Sequence, residues 1–142
     1  MEDKYLTINS TGKGYYTEKR SKFYAFAHHV ETVDDCKALI NEYRKKYFDA
    51  RHCCYAYMLG PERQEWRAND DGEPSSTGGK PIMGQINSHG LTDILVCVIR
   101  YYGGVNLGTS GLIEAYRTAA ASAIEDADII ECFQKEEVKF HF

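Results

Sequence analysis

Between Thr92 and Arg117 the sequence passes from an almost continuously apolar run, TDILVCVIRY, into a turn with glycines at 103, 104, 108 and 111. An alanine-rich segment of helical period follows at once. This order constrains the fold more than any other feature. The run Thr92–Tyr101 predicts a central strand buried on both faces. Leu112, Ala115, Tyr116, Ala119, Ala120, Ala123 and Ile124 predict a helix from about Thr109 to Ala127, packed on the sheet by small residues. A glycine turn that feeds a helix N-terminus presents unpaired N–H groups, which suits an anion. Thr109 and Ser110 stand where a hydroxyl would cap the helix or donate to a phosphate. The spacing G-x-x-x-G-x-x-G is neither the dinucleotide fingerprint nor the phosphate-loop pattern. A turn plus a cap would explain the same residues.

Upstream, Lys4–Ile8 and Gly14–Thr17 read as a hairpin around Thr11-Gly12-Lys13-Gly14. Lys22–Val30 alternates as a strand, and Thr32 caps a helix with the stripe Val33, Cys36, Leu39, Ile40, Tyr43 and Tyr47. Arg51–Leu59 and Gln64–Ala68 read as paired strands around Gly60-Pro61-Glu62. Asp70–Gly79 is a polar loop, Lys80-Pro81 starts a short helix, and Asp128–Cys132 is a last strand. The tail EEVKFHF alternates Val138, Phe140 and Phe142, and reads as the start of a second unit.

At 142 residues the chain suits one main domain, and its charge of −4 argues against a bulk grip on nucleic acid. No segment approaches the roughly 18 consecutive apolar residues of a membrane span, and MEDKYLTINS lacks the shape of a signal peptide. The five cysteines form no C-x-x-C pair, so neither a disulfide framework nor a zinc ribbon is indicated. These features predict a cytoplasmic protein with no membrane partner.

Three segments carry a family resemblance: ARHCCYAYMLG at 50–60, DDGEPSSTGGKPI at 70–82 and RYYGGVNLGTSGLIEAYRTAA at 100–120. Together they resemble the IMPACT/YigZ family, small cytosolic proteins linked to translational control. The resemblance runs from Ser21-Lys22-Phe23 to about Ile124. It implies a two-layer α+β sheet-and-helix domain of the left-handed βαβ superfamily, with elongation factor G domain IV and RNase PH. It also implies a division into residues 1–132 and a truncated, ferredoxin-like second domain beginning at 133–142. Asn106 and Glu114 stand where family members often carry basic residues, which weakens the grip on a polyanion.

Two functional readings follow. The first is a translation-linked regulatory binding protein that contacts RNA, the ribosome or a protein of the translation machinery. Its anion-binding surface would comprise Lys22, His52, Ser75, Ser76, Lys80, Arg100, Gly103, Gly104, Gly108, Thr109, Ser110 and Gly111, with no cofactor. The second is a Mg²⁺-dependent enzyme acting on a phosphorylated small molecule or an RNA end, with Asp70, Asp71 and Glu73 as metal ligands. A solvated acidic turn explains those carboxylates equally well. His52 and Cys54 share a strand face, yet no third group completes a nucleophile set. The first reading is preferred, because no acid–base or nucleophile set assembles in the sequence.

Overall fold

The computed structural model describes residues 4–134. The expected second unit after Phe133 lies almost wholly outside them. In chain order the elements are β1 (Lys4–Ile8), β2 (Gly12–Glu18), β3 (Ser21–His29), α1 (Val33–Lys46), β4 (His52–Leu59), β5 (Glu65–Asn69), α2 (Gly79–Ser88), β6 (Ile94–Tyr101), α3 (Gly108–Asp126) and β7 (Ile129–Phe133). The fold is α+β: helices layered on a five-stranded sheet of order β2-β3-β6-β4-β5, in which every pairing is antiparallel.

The central apolar run is the middle strand β6, as its composition predicts. Ile94, Val96 and Val98 pack under α2 and α3, together with Phe23, Ala25, Cys54 and Ala56. Leu95, Cys97 and Ile99 face the other way, toward Cys36 and Ile40 of α1 and the rings of Tyr24, Phe26, Tyr43 and Tyr47. Both faces of β6 are therefore covered although the sheet is antiparallel. Thr32 caps α1 as expected, its hydroxyl accepting from Asp35 N at 3.0 Å.

The N-terminal hairpin is not formed. β1 pairs with β7 instead, Lys4 opposite Phe133, and β2 pairs with β3. Gly12 and Gly14 lie inside β2 and are packing glycines, not turn glycines. A Cβ on Gly12 would fall 2.0 Å from Ala123 O, and one on Gly14 2.5 Å from Ala123 N. The backbone of α3 rests directly on β2 there. The β2–β3 turn falls on Lys19 and Arg20, at φ 47° and 71°. Neither residue is a turn former, so the sequence carries no signal for it.

Ala119 is fully buried on the sheet-facing side of α3. Ala119→Leu should overpack this contact and cost about 1–3 kcal/mol, read as a lower denaturation midpoint; an unchanged midpoint would refute the packing.

Candidate phosphate-binding cleft

Arg100 is the penultimate residue of β6 and is only 5% exposed. A guanidinium at the end of an apolar strand needs a partner, since an unpaired buried charge is costly. The pairing register sets Arg100 between Phe23 on β3 and His52 on β4, all three on the face that α3 covers. The polar loop supplies the partner. Glu73 is buried, and Arg100 Nη1 donates to its Oε1 at 3.0 Å and Oε2 at 2.8 Å. Tyr116 of α3 donates its hydroxyl to Glu73 Oε2 at 2.5 Å. Burial, then the neighbouring Cys54 and Glu73, push the Tyr116 pKa far above the usual phenol range, so the hydroxyl keeps its proton. His52 completes the cluster. Its Nδ1 lies 2.8 Å from Asp71 O, a carbonyl that only accepts, so Nδ1 carries hydrogen. Its Nε2 is 3.5 Å from Glu73 Oε1.

The loop is held by its own acids. Asp70 Oδ1 accepts from Gly78 N at 3.0 Å and Gly79 N at 2.8 Å, and Oδ2 from Ser76 N at 2.8 Å. It thereby caps α2 from outside the helix. Asp71 Oδ2 accepts from Cys53 N at 2.7 Å, while Oδ1 meets Arg44 at 3.1 Å. The three carboxylates that sequence reading grouped as metal ligands thus have separate partners. Among the described residues, no three His, Cys, Asp or Glu side chains are placed to hold a metal ion. Cys54 shares the face of His52 as predicted, but it is buried and donates to Asp70 O at 3.1 Å. Burial pushes its thiol pKa up, the wrong direction for a nucleophile.

Above the Arg100–Glu73 pair opens a cleft of about 520 Å³. Its walls include Arg51, His52, Arg100, Tyr102, Gly108 and Thr109. Gly72, Glu73 and Pro74 of the polar loop line it as well, so the loop and the glycine turn meet there. Leu107 occupies the N-cap position of α3 and provides no side-chain cap. Thr109 and Ser110 lie inside the first turn of the helix, so neither is the cap the sequence suggested. Gly104 and Gly108 take φ of 90° and 77°, which favours glycine. Arg100 Nε is buried and has no hydrogen-bond partner among the described residues.

The other expected residues are spread more widely. Gly103 belongs to the turn but packs against the Arg20–Ser21 backbone; a Cβ there would sit 2.2 Å from Arg20 C. Lys22 lines a neighbouring groove. Ser75, Ser76 and Lys80 are exposed, and with Ser110 and Gly111 they stand outside the cleft wall. Sequence reading missed Arg51 and Tyr102, whose guanidinium and ring stack at 4.6 Å. It also missed Tyr116. The available signal was a charged residue closing an apolar strand, which had to find both an acid and a further donor.

The sequence pattern of the Impact N-terminal domain matches residues 19–124. The chain belongs to the IMPACT family. It is 41% identical over 100 residues to the IMPACT family member YigZ of Escherichia coli, an alignment covering 69% of this chain and 49% of the relative. It is 32% identical over 131 residues to YvyE of Bacillus subtilis, covering 92% and 60%. A crystal structure described only as that of a hypothetical protein superposes with a TM-score of 0.88 at 33% identity, covering 94% of this chain and 65% of that one. This IMPACT chain thus spans about half to three-fifths of the two named relatives.

Proposed function

We propose that this IMPACT-family domain is a translation-linked regulatory binding module of the cytoplasm, and that its cleft grips a phosphate or carboxylate of RNA, the ribosome or a protein partner. The observation that carries the reading is a cleft lined both by Arg100, whose buried Nε has no hydrogen-bond partner among the described residues, and by the start of α3, which no side chain caps. Helix N–H groups favour a negative group, and an N–H of a guanidinium, even one whose charge Glu73 already meets, is a further donor for it. Arg51 adds a cation to the lining of the same cleft. None of the helices among the described residues is long and apolar enough to cross a membrane. The βαβ superfamily kinship is part of the same proposal. It is supported by β3 and β4, which are both antiparallel to β6, hence parallel to each other, and are linked through α1.

The test is a titration with inorganic phosphate followed by NMR. Amide signals of 103–112 should move, and Arg51→Ala should weaken the response. If those signals stay still, the cleft is not an anion site.

A further inference from the structure

Tyr102 is a wall of the cleft and also a wall of a second groove of about 520 Å³. The groove is lined by Tyr24, Tyr47, Tyr101 and Tyr102, with Arg20 and Lys22. Tyr24 and Tyr47 stack with centroids 6.4 Å apart and planes 13° apart. Tyr101 meets Tyr24 edge-on at 6.1 Å, and Lys46 lies 5.5 Å from the Tyr47 ring centre. Tyr102 is 37% exposed, and the guanidinium groups of Arg51 and Arg100 lie 4.6 Å and 5.5 Å from its ring centre, so a base would stack on the ring beside two cations. The acid in the lining is Asp49, whose Oδ1 accepts the Tyr101 hydroxyl at 2.8 Å.

The basic edge of this groove is built at a conformational cost. Lys19 and Arg20 both adopt left-handed backbone at the tip of a two-residue hairpin, where Asn-Gly would be relaxed. Both residues are exposed, so core packing does not explain the strained turn. Gly103 fixes the tip by close contact with the Arg20–Ser21 peptide, and its N–H donates to Ser21 Oγ at 3.2 Å. The glycine turn therefore holds a cationic hairpin beside a cluster of tyrosine rings.

We propose that this groove binds single-stranded nucleic acid, with a base stacked on Tyr102 while the adjoining phosphate enters the cleft. The inference rests on the phosphate reading of the cleft and extends it by naming the ligand class. Aromatic faces interleaved with cations suit unpaired bases, since every base offers a π-face and every linkage a charge. A duplex keeps its bases stacked inside and cannot offer them. The net charge of −4 confines the attraction to this patch. Affinity is therefore on the order of micromolar and steeply salt-dependent.

The experiment is fluorescence anisotropy at low salt with a labelled oligouridine, a duplex RNA and polyglutamate. Oligouridine should bind roughly tenfold more tightly than either competitor. Tyr102→Ala should weaken it by roughly tenfold, the scale of one lost base stack. Tyr102→Phe, which keeps the ring, should restore the loss, and Lys22→Ala should lower the salt slope by about one. Equal binding of the duplex or of polyglutamate, or wild-type affinity in Tyr102→Ala, overturns the proposal. The phosphate titration on the wild-type chain separates the two readings. Shifts at 103–112 without a single-strand preference leave the cleft and remove the groove. Single-strand binding that needs Tyr102, without such shifts, removes the cleft and overturns the joint grip proposed here, leaving base stacking in the groove alone.

Discussion

Arg100→Met should lower the thermal midpoint by about 10–17 °C, which corresponds to about 3–5 kcal/mol for a chain of this size. The substitution leaves the buried Glu73 without its countercharge, with the Tyr116 hydroxyl at 2.5 Å and His52 Nε2 at 3.5 Å beside it. Such a half-pair is far less stable than either the complete pair or no pair. The triple variant Arg100→Met, Glu73→Leu, Tyr116→Phe should therefore recover most of the loss, because it removes both charges and the stranded hydroxyl. Calorimetry of the two proteins decides the matter. A single variant as stable as the wild type would show that Arg100 is not the keystone of the β6 terminus. The triple variant should still fail to bind phosphate, which separates a binding role from a structural one.

Asp70→Ala should be nearly as damaging, at about 3 kcal/mol. One carboxylate accepts three backbone N–H groups, and two of these belong to the buried Gly78 and Gly79. Losing it leaves those donors without their acceptor at the start of α2. Millimolar Mg²⁺ should not change the wild-type midpoint. If Mg²⁺ raises it in the wild type and not in Asp70→Ala, the loop holds a cation and the enzyme reading moves to first place.

Periodicity made α1, β3, β4, β6 and α3 legible, because each carries a long, regular apolar pattern. The Thr32 cap and the polar loop were equally plain from local chemistry. The pairing of β1 with β7 was not, since nothing local joins residues about 125 positions apart. Gly12 and Gly14 misled because a glycine needed for a turn and one needed for close packing look the same in sequence. In the site, the glycine turn and Arg100 were visible as motifs. The Glu73–Arg100–Tyr116 cluster was not, because its members come from a loop, a strand and a helix that only the folded sheet brings together. Ser75, Ser76 and Lys80 were grouped with the turn by type, yet all three are exposed and none lines the cleft.

The position of β6 has a consequence for synthesis. A ribosome delivers the chain from its N-terminus. The hairpins β2–β3 and β4–β5 form from neighbours in sequence, but in the finished sheet they never touch; β6 lies between them. Until residue 101 has emerged, β3 and β4 each present an open edge of unpaired backbone groups beside apolar side chains such as Phe23 and Cys54. Open edges of this kind recruit wrong partners. A nascent chain stalled before Ile94 would therefore carry two adhesive hairpins and no strand to join them, and the stretch of message that encodes β6 decides whether the hairpins made before it remain soluble.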